Sequence, residues 1–169
     1  MEKDSLFKHA DWSPLLDEEK PDFKGLKYYP VDISLRFEGS INRYDRLVAD
    51  TIIGTKGDRR PAFRYGYFTF SYRGQDYRLI IFKIIRDDPD LEPYLFLGFT
   101  DETTGDETYG TGRYVDLSED SENRCVVDFN LAYSPYCAYN ARYTCAIPSE
   151  DNHLPFALRA GEKIYREHK

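Results

Sequence analysis

The sequence predicts a mainly β fold: an antiparallel β-barrel or β-sandwich with a short N-terminal helix and a long irregular C-terminal loop. Three observations carry that expectation. Fifteen Tyr and eleven Phe in a chain of 169 residues favour pleated, half-buried surfaces. Short stretches such as Val31–Phe37 alternate apolar and polar residues, the period-two spacing of a strand with one buried face. Glycine- and aspartate-bearing turns separate these stretches, and neither a linker nor an internal repeat divides them, so residues 1–169 read as a single domain.

Taken in order, residues 5–12 read as a short helix with Asp4 or Ser5 as its N-cap. It should end at Ser13, because Pro14 disfavours a helical conformation in the residue before it. Leu15 to Pro21 is a polar connector, and Val31 to Phe37 a half-buried strand. Leu47 to Ile53 is a second strand and Phe63 to Tyr72 a third. The phase of the third slips near Gly66, which points to a bulge. Arg73-Gly74-Gln75-Asp76 is turn chemistry. The strand after it, Tyr77 to Ile85, is apolar on both faces and should lie inside its sheet. Tyr94 to Phe99 is another buried strand. Arg113 to Leu117 and Arg124 to Asn130 are short strands joined by an acidic turn. From Leu131 to Pro155 periodicity fails, and so long an irregular stretch inside a domain is commonly functional.

Composition narrows the partners. A formal charge of −7 disfavours nucleic acid and anionic membrane, since phosphate binding needs a cationic footprint. The charge is uneven: residues 36–83 hold ten Lys/Arg against five Asp/Glu, and residues 84–131 hold three against thirteen. Internal pairing between the two stretches is the expected outcome. No apolar run resembles a signal peptide or a membrane span. With three cysteines, Cys125, Cys137 and Cys145, a soluble cytoplasmic protein with reduced thiols is expected. Most of the aromatics are assigned to core and cross-strand packing rather than to a ligand cage.

Three blocks carry candidate chemistry. In the acidic glycine loop from Asp101 to Arg113, Asp101 would end a buried strand, and Gly105, Gly110 and Gly112 would allow close backbone approach. Its acidic spacing does not match a calcium loop, and Arg113 bridging the loop's own carboxylates is an equal alternative. In the second block, Asp128 and Asn130 would share one face of a strand. They would form either a partly buried general base with an orienting amide, or a pair satisfying the backbone of the next loop. The third block runs from Ala132 to Cys145. Cys137 and Cys145 with His153 offer zinc ligands at a spacing matching no compact motif. Cys137 with His153 would also serve as a nucleophile and base. Small buried thiols are the ordinary alternative.

Segments in this order also resemble one family. They are Ser13-Pro14-Leu15, Gly25 to Pro30, Phe99-Thr100-Asp101, Thr104-Gly105 and Glu107-Thr108-Tyr109. Gly112-Arg113-Tyr114, Asp128-Phe129-Asn130, Tyr133 to Tyr139, Cys145, Pro148, Asn152 and Ala160 to Lys163 follow. The chain is similar to domain-of-unknown-function family 1684, small bacterial and archaeal proteins. Ser134-Pro135 stands where members usually read Asn-Pro, and Pro148-Ser149 where many read Pro-Pro. The resemblance implies no activity.

These readings converge on a pocket made by the 101–113, 126–137 and 145–162 segments, with Asp101, Glu107, Tyr109, Arg113, Asp128, Asn130, Tyr133, Cys137 and Asn152 as its ligand-binding residues. The expected occupant is a small polar or anionic molecule, with Arg113 holding its anionic or carbonyl group. A hydrolase-like enzyme using Asp128, or Cys137 with His153, is the second reading. A zinc-stabilised structural or interaction domain is the third. No cofactor is called for, apart from zinc as the weakest candidate, and the sequence leaves the oligomeric state open.

Overall fold

The computed structural model describes residues 2–166. Its helix α1, Glu2–His9, lies three residues earlier than the 5–12 expectation. The chain turns before Pro14 because Ser13 folds back: its hydroxyl donates to the Phe7 carbonyl at 2.5 Å and accepts from the Leu15 amide at 3.1 Å. Asp4 is not the helix cap. Its carboxylate accepts the Leu26 amide at 2.9 Å and ties the helix to the chain that follows. Phe7 is the helix's anchor. It is buried with Leu15, Phe23 and Tyr139, and meets the Tyr139 ring edge-on at 4.9 Å.

The stretch 31–37 is a correction. Asp32 caps a 3₁₀ turn at Ile33–Leu35 by accepting the Ser34 amide, and only then does strand β1, Arg36–Ser40, begin. Val31 and Ile33 are 77% and 85% exposed, so their alternation marks no buried face. A strand there would need its backbone groups for a ladder. Instead the Asn130 carboxamide takes both the Asp32 amide and the Asp32 carbonyl, each at 2.8 Å.

β2 (Asn42–Ile53), β3 (Arg59–Tyr72), β4 (Gln75–Ile84), β5 (Tyr94–Asp101) and β6 (Arg113–Val115) form one sheet in that order, each antiparallel to its neighbour. A short β8 (His153–Leu154) adds to β5 in parallel. The order runs from β2 to β6 without returning, so no closed barrel forms. The slip at Gly66 is a bulge: Arg64 faces Phe82 while Gly66 faces Ile81, leaving Tyr65 extra. Only glycine fits there, since a Cβ would stand 2.6 Å from the Asn42 carbonyl oxygen. The β3–β4 turn places Arg73 and Gly74 at φ 51° and 78°, the mirror-image geometry that matches strand twist in two-residue hairpins.

β7 (Arg124–Asp128), which follows β6 through the acidic turn, does not pair with it. It pairs with β1 in a separate two-stranded ladder. That ladder covers one face of the large sheet. Cys125, Val127 and Phe129 meet Phe68, Phe70, Leu79, Ile81, Leu97 and Phe99 in the main core. Phe129 stands between Phe70 and Phe99, with centroids 5.5 and 5.3 Å away. On the opposite face Ile52, Ala62, Ile80, Phe82, Ile84 and Phe96 pack with Ala146. The side chains of β4 and β5 thus enter cores on both faces, as their apolar runs predict.

Candidate functional site

Two buried polar devices tie the C-terminal stretch to the sheet. Arg113 is 1% exposed and lies over the Phe99 ring. Its guanidinium donates to Asp101 Oδ2 at 2.8 Å, to the Leu158 carbonyl at 2.9 Å and to the Ala160 carbonyl. Asp101, in turn, accepts the Thr103 amide at 2.6 Å. A guanidinium so committed to carbonyls and a carboxylate clamps the C-terminal segment to β5 and β6. Asn152 plays a similar part. It pairs with both the amide and the carbonyl of Ile80, and also donates to the Gly98 carbonyl, at 2.7 to 2.9 Å. It therefore satisfies strand groups at the position where the irregular segment crosses β4 and β5.

The other expected site residues lie elsewhere. Glu107 is held by Arg159 and the Tyr29 hydroxyl, which keep its carboxyl below the ordinary range. Asp128 and Asn130 do not share a strand face, because β7 ends at Asp128 and a 3₁₀ turn begins. They meet nonetheless: Asp128 Oδ1 accepts the Asn130 amide at 3.0 Å and its side-chain NH₂ at 2.9 Å. Tyr109 donates to Cys137 Sγ at 3.5 Å. His153 Nδ1 faces Thr100 Oγ1 at 3.0 Å. Among the described residues, no three His, Cys, Asp or Glu side chains are grouped to hold a metal ion. The nine residues therefore do not converge on one pocket.

What the structure does contain is a cleft of about 1180 Å³ between α1, the β5–β6 edge and the 131–146 segment. Of the nine expected residues, Asp128, Asn130 and Tyr133 line it. Seven of the fifteen tyrosines border it, among them Tyr28, Tyr94, Tyr114, Tyr133 and Tyr143, together with Trp12, Phe96 and Leu97. Tyr114 stacks edge-on between Phe96, at 4.9 Å, and Tyr133, at 5.8 Å. Its hydroxyl donates to the Ala146 carbonyl, and the Tyr133 hydroxyl donates to Asp116 at 2.7 Å. Burial raises both hydroxyl pKa values far above the ordinary range, so the two rings present neutral faces.

The cleft's two cations, Lys3 and Arg60, are already paired. Lys3 crosses the Tyr133 ring at 5.2 Å and ends on the fully buried Glu162 carboxylate at 2.7 Å. Arg60 bonds Asp58 at 3.0 Å and the Thr144 carbonyl at 2.8 Å. Burial raises the Glu162 pKa, with Lys3 opposing it. The wall open to a guest is aromatic and aliphatic.

Trp12, Tyr28, Tyr94, Tyr114 and Tyr143 escaped the sequence reading because the excess of tyrosine was assigned to the core. The signal was that excess itself. It does not say which rings meet, since they come from five separate segments.

No curated protein matches the chain. The solution NMR structure of the uncharacterized protein from gene locus rrnAC0354 of Haloarcula marismortui is similar over 99% of this chain and 91% of its own, with 34% identity and a TM-score of 0.70. The family model described as "Protein of unknown function (DUF1684)" matches residues 21–163. With most of its length covered by that model, and the order of motif blocks from Gly25 to Lys163 intact, the chain belongs to the DUF1684 family.

Proposed function

We propose that the protein binds a small molecule with a largely apolar, ring- or chain-bearing body in the cleft between α1, β5–β6 and the 131–146 segment. One observation carries this: a concavity of about 1180 Å³ whose wall is rich in aromatic side chains and whose cations, Lys3 and Arg60, are internally paired. Ligand sites are typically concave and apolar with a few placed polar groups. Asp116, Asp128 and the Asn130 amide supply such groups at the margin. An apolar guest would displace poorly held water from rings at no cost in broken ion pairs. An anionic guest would have to compete with Glu162 for Lys3, or with Asp58 for Arg60. The apolar body, rather than an anionic group, is therefore the feature recognised.

Two fluorescent probes separate these chemistries. N-phenyl-1-naphthylamine is neutral, and 1-anilinonaphthalene-8-sulfonate carries a similar ring body with a sulfonate. Both should bind saturably at one site with affinities within about tenfold of each other, a difference of about 1.4 kcal/mol. Tyr143→Ala, which removes a ring packed 5.3 Å from Tyr136, should weaken both by roughly tenfold, the combined worth of an aromatic contact and its area. A sulfonate-dependent affinity would identify an anion site instead. Absence of saturable binding by either probe would remove the reading. Native and denatured masses of the purified protein, compared, would show any molecule carried from the cell.

A further inference from the structure

We propose that Cys137 and Cys145 form a thiol–disulfide exchange site, with Cys137 attacking low-molecular-weight disulfides and Cys145 resolving the mixed disulfide. The pair is independent of the cleft reading, although Cys145 also borders the cleft.

The geometry begins with the backbone. Pro135 leads into a 3₁₀ turn at Tyr136–Ala138, which places the partly exposed Cys137 with its amide donating to Cys145 Sγ at 3.2 Å. Cys145 is anchored from the other side. Its amide donates to Thr55 Oγ1 at 3.1 Å, its carbonyl accepts the Thr55 amide at 2.9 Å, and Ala146 bridges to Gly54. The Tyr109 hydroxyl donates to Cys137 Sγ at 3.5 Å. Two cysteines eight residues apart are thus brought together by separate anchors, with the Cys137 amide on Cys145 Sγ. Each sulfur receives a donor, Cys145 the Cys137 amide and Cys137 the Tyr109 hydroxyl.

The groups beside Cys137 act in one direction. The Cys145 thiol and then the Tyr109 hydroxyl lower the Cys137 pKa despite burial, and the same contact raises that of Cys145. A thiolate is the species that attacks a disulfide. Cys125 offers the contrast: it lies in the main core on β7, and burial pushes its thiol up to about 11.

The exchange balances without an external redox group other than the small disulfide. Cys137 thiolate attacks one sulfur of RSSR, forming Cys137–S–SR and releasing RS⁻. With the Cys137 charge gone, the Cys145 proton is no longer held by it and passes to RS⁻ or solvent. The Cys145 thiolate then attacks Cys137 Sγ and expels the second RS⁻. The protein's two thiols are oxidised to one disulfide, and RSSR is reduced to two RSH.

Reduced wild-type protein mixed with glutathione disulfide tests this by intact mass and peptide mapping. The expected product has lost two hydrogens, carries a Cys137–Cys145 linkage, retains a free Cys125 and releases two glutathiones per chain. Cys145→Ser should stop with one glutathione on Cys137, formed at least tenfold faster than any adduct on Cys137→Ser. Tyr109→Phe should slow that adduct several-fold with the thermal transition unchanged. A wild-type protein, folded by circular dichroism, that forms no Cys137–Cys145 linkage overturns the proposal. So does one that stalls as a glutathione adduct, or one whose three thiols react at equal rates. The wild-type arm decides the matter even if a variant fails to fold.

Discussion

Arg113 shows how a residue that reads as a ligand-binding group becomes a fastener once its surroundings are known. Its guanidinium holds Asp101 and the carbonyls of Leu158 and Ala160 inside the protein. Arg113→Met should therefore cost about 3–5 kcal/mol in urea unfolding, because a buried carboxylate and two carbonyls lose their partner. A loss below about 1 kcal/mol would mean that Asp101 finds water instead. Lys3 acts differently, since its side chain is 34% exposed and its partner Glu162 fully buried. Glu162 has a raised pKa in the folded state, so the folded protein holds that proton more tightly than the unfolded chain does. The associated stability is present at acid pH and is lost as pH rises through the folded pKa. Removing Lys3 raises that pKa further and deepens the loss. Lys3→Met and wild type should therefore match in stability near pH 4.5, the group's ordinary value, and diverge above it. Discounted for the exposure of Lys3, the divergence should reach about 1–3 kcal/mol. Parallel curves of melting temperature against pH would show that the pair contributes nothing.

At the scale of elements, the Asp128–Leu131 segment marks where sequence reading ended. β4 and β5 were legible because both their faces are apolar, and the Gly66 bulge because the alternation itself slips there. Asp128 and Asn130 were singled out and do meet, but as a cap rather than as strand neighbours. Asn130 also decides the conformation of Asp32, 98 residues away. No local pattern near Val31 carries that information, and so the 31–37 stretch reads as a strand. The capping role predicts that Asp128→Ala costs about 1 kcal/mol and leaves the overall circular dichroism unchanged. A variant that unfolds outright would show that the carboxylate supports more than this turn. The same logic limited the site. Asp101, Arg113 and Asn152 read as ligand-binding residues in the sequence, yet each is consumed in satisfying backbone or a countercharge.

For the molecule as a whole, one large sheet is covered on one side by the two-stranded ladder together with Leu154, Leu158 and Ala160, and on the other is met by Ala146. The helix docks through Phe7 on Tyr139 and leaves the aromatic cleft between itself and the β5–β6 edge. The uneven charge is partly resolved by pairing across the fold, as where Arg43 of the basic stretch meets Glu119 of the acidic one at 2.8 Å. No helix among the described residues is long and apolar enough to cross a membrane. An aromatic wall of this extent, left open to solvent, is the feature that sets the molecule apart from a plain scaffold. Titration of isotope-labelled protein with N-phenyl-1-naphthylamine, followed residue by residue by NMR, tests its purpose most directly. A binding cleft requires saturable shifts at one-to-one stoichiometry, concentrated at Trp12, Tyr94, Tyr114, Tyr133 and Tyr143. Shifts that fail to saturate, or that gather away from these residues, would contradict it.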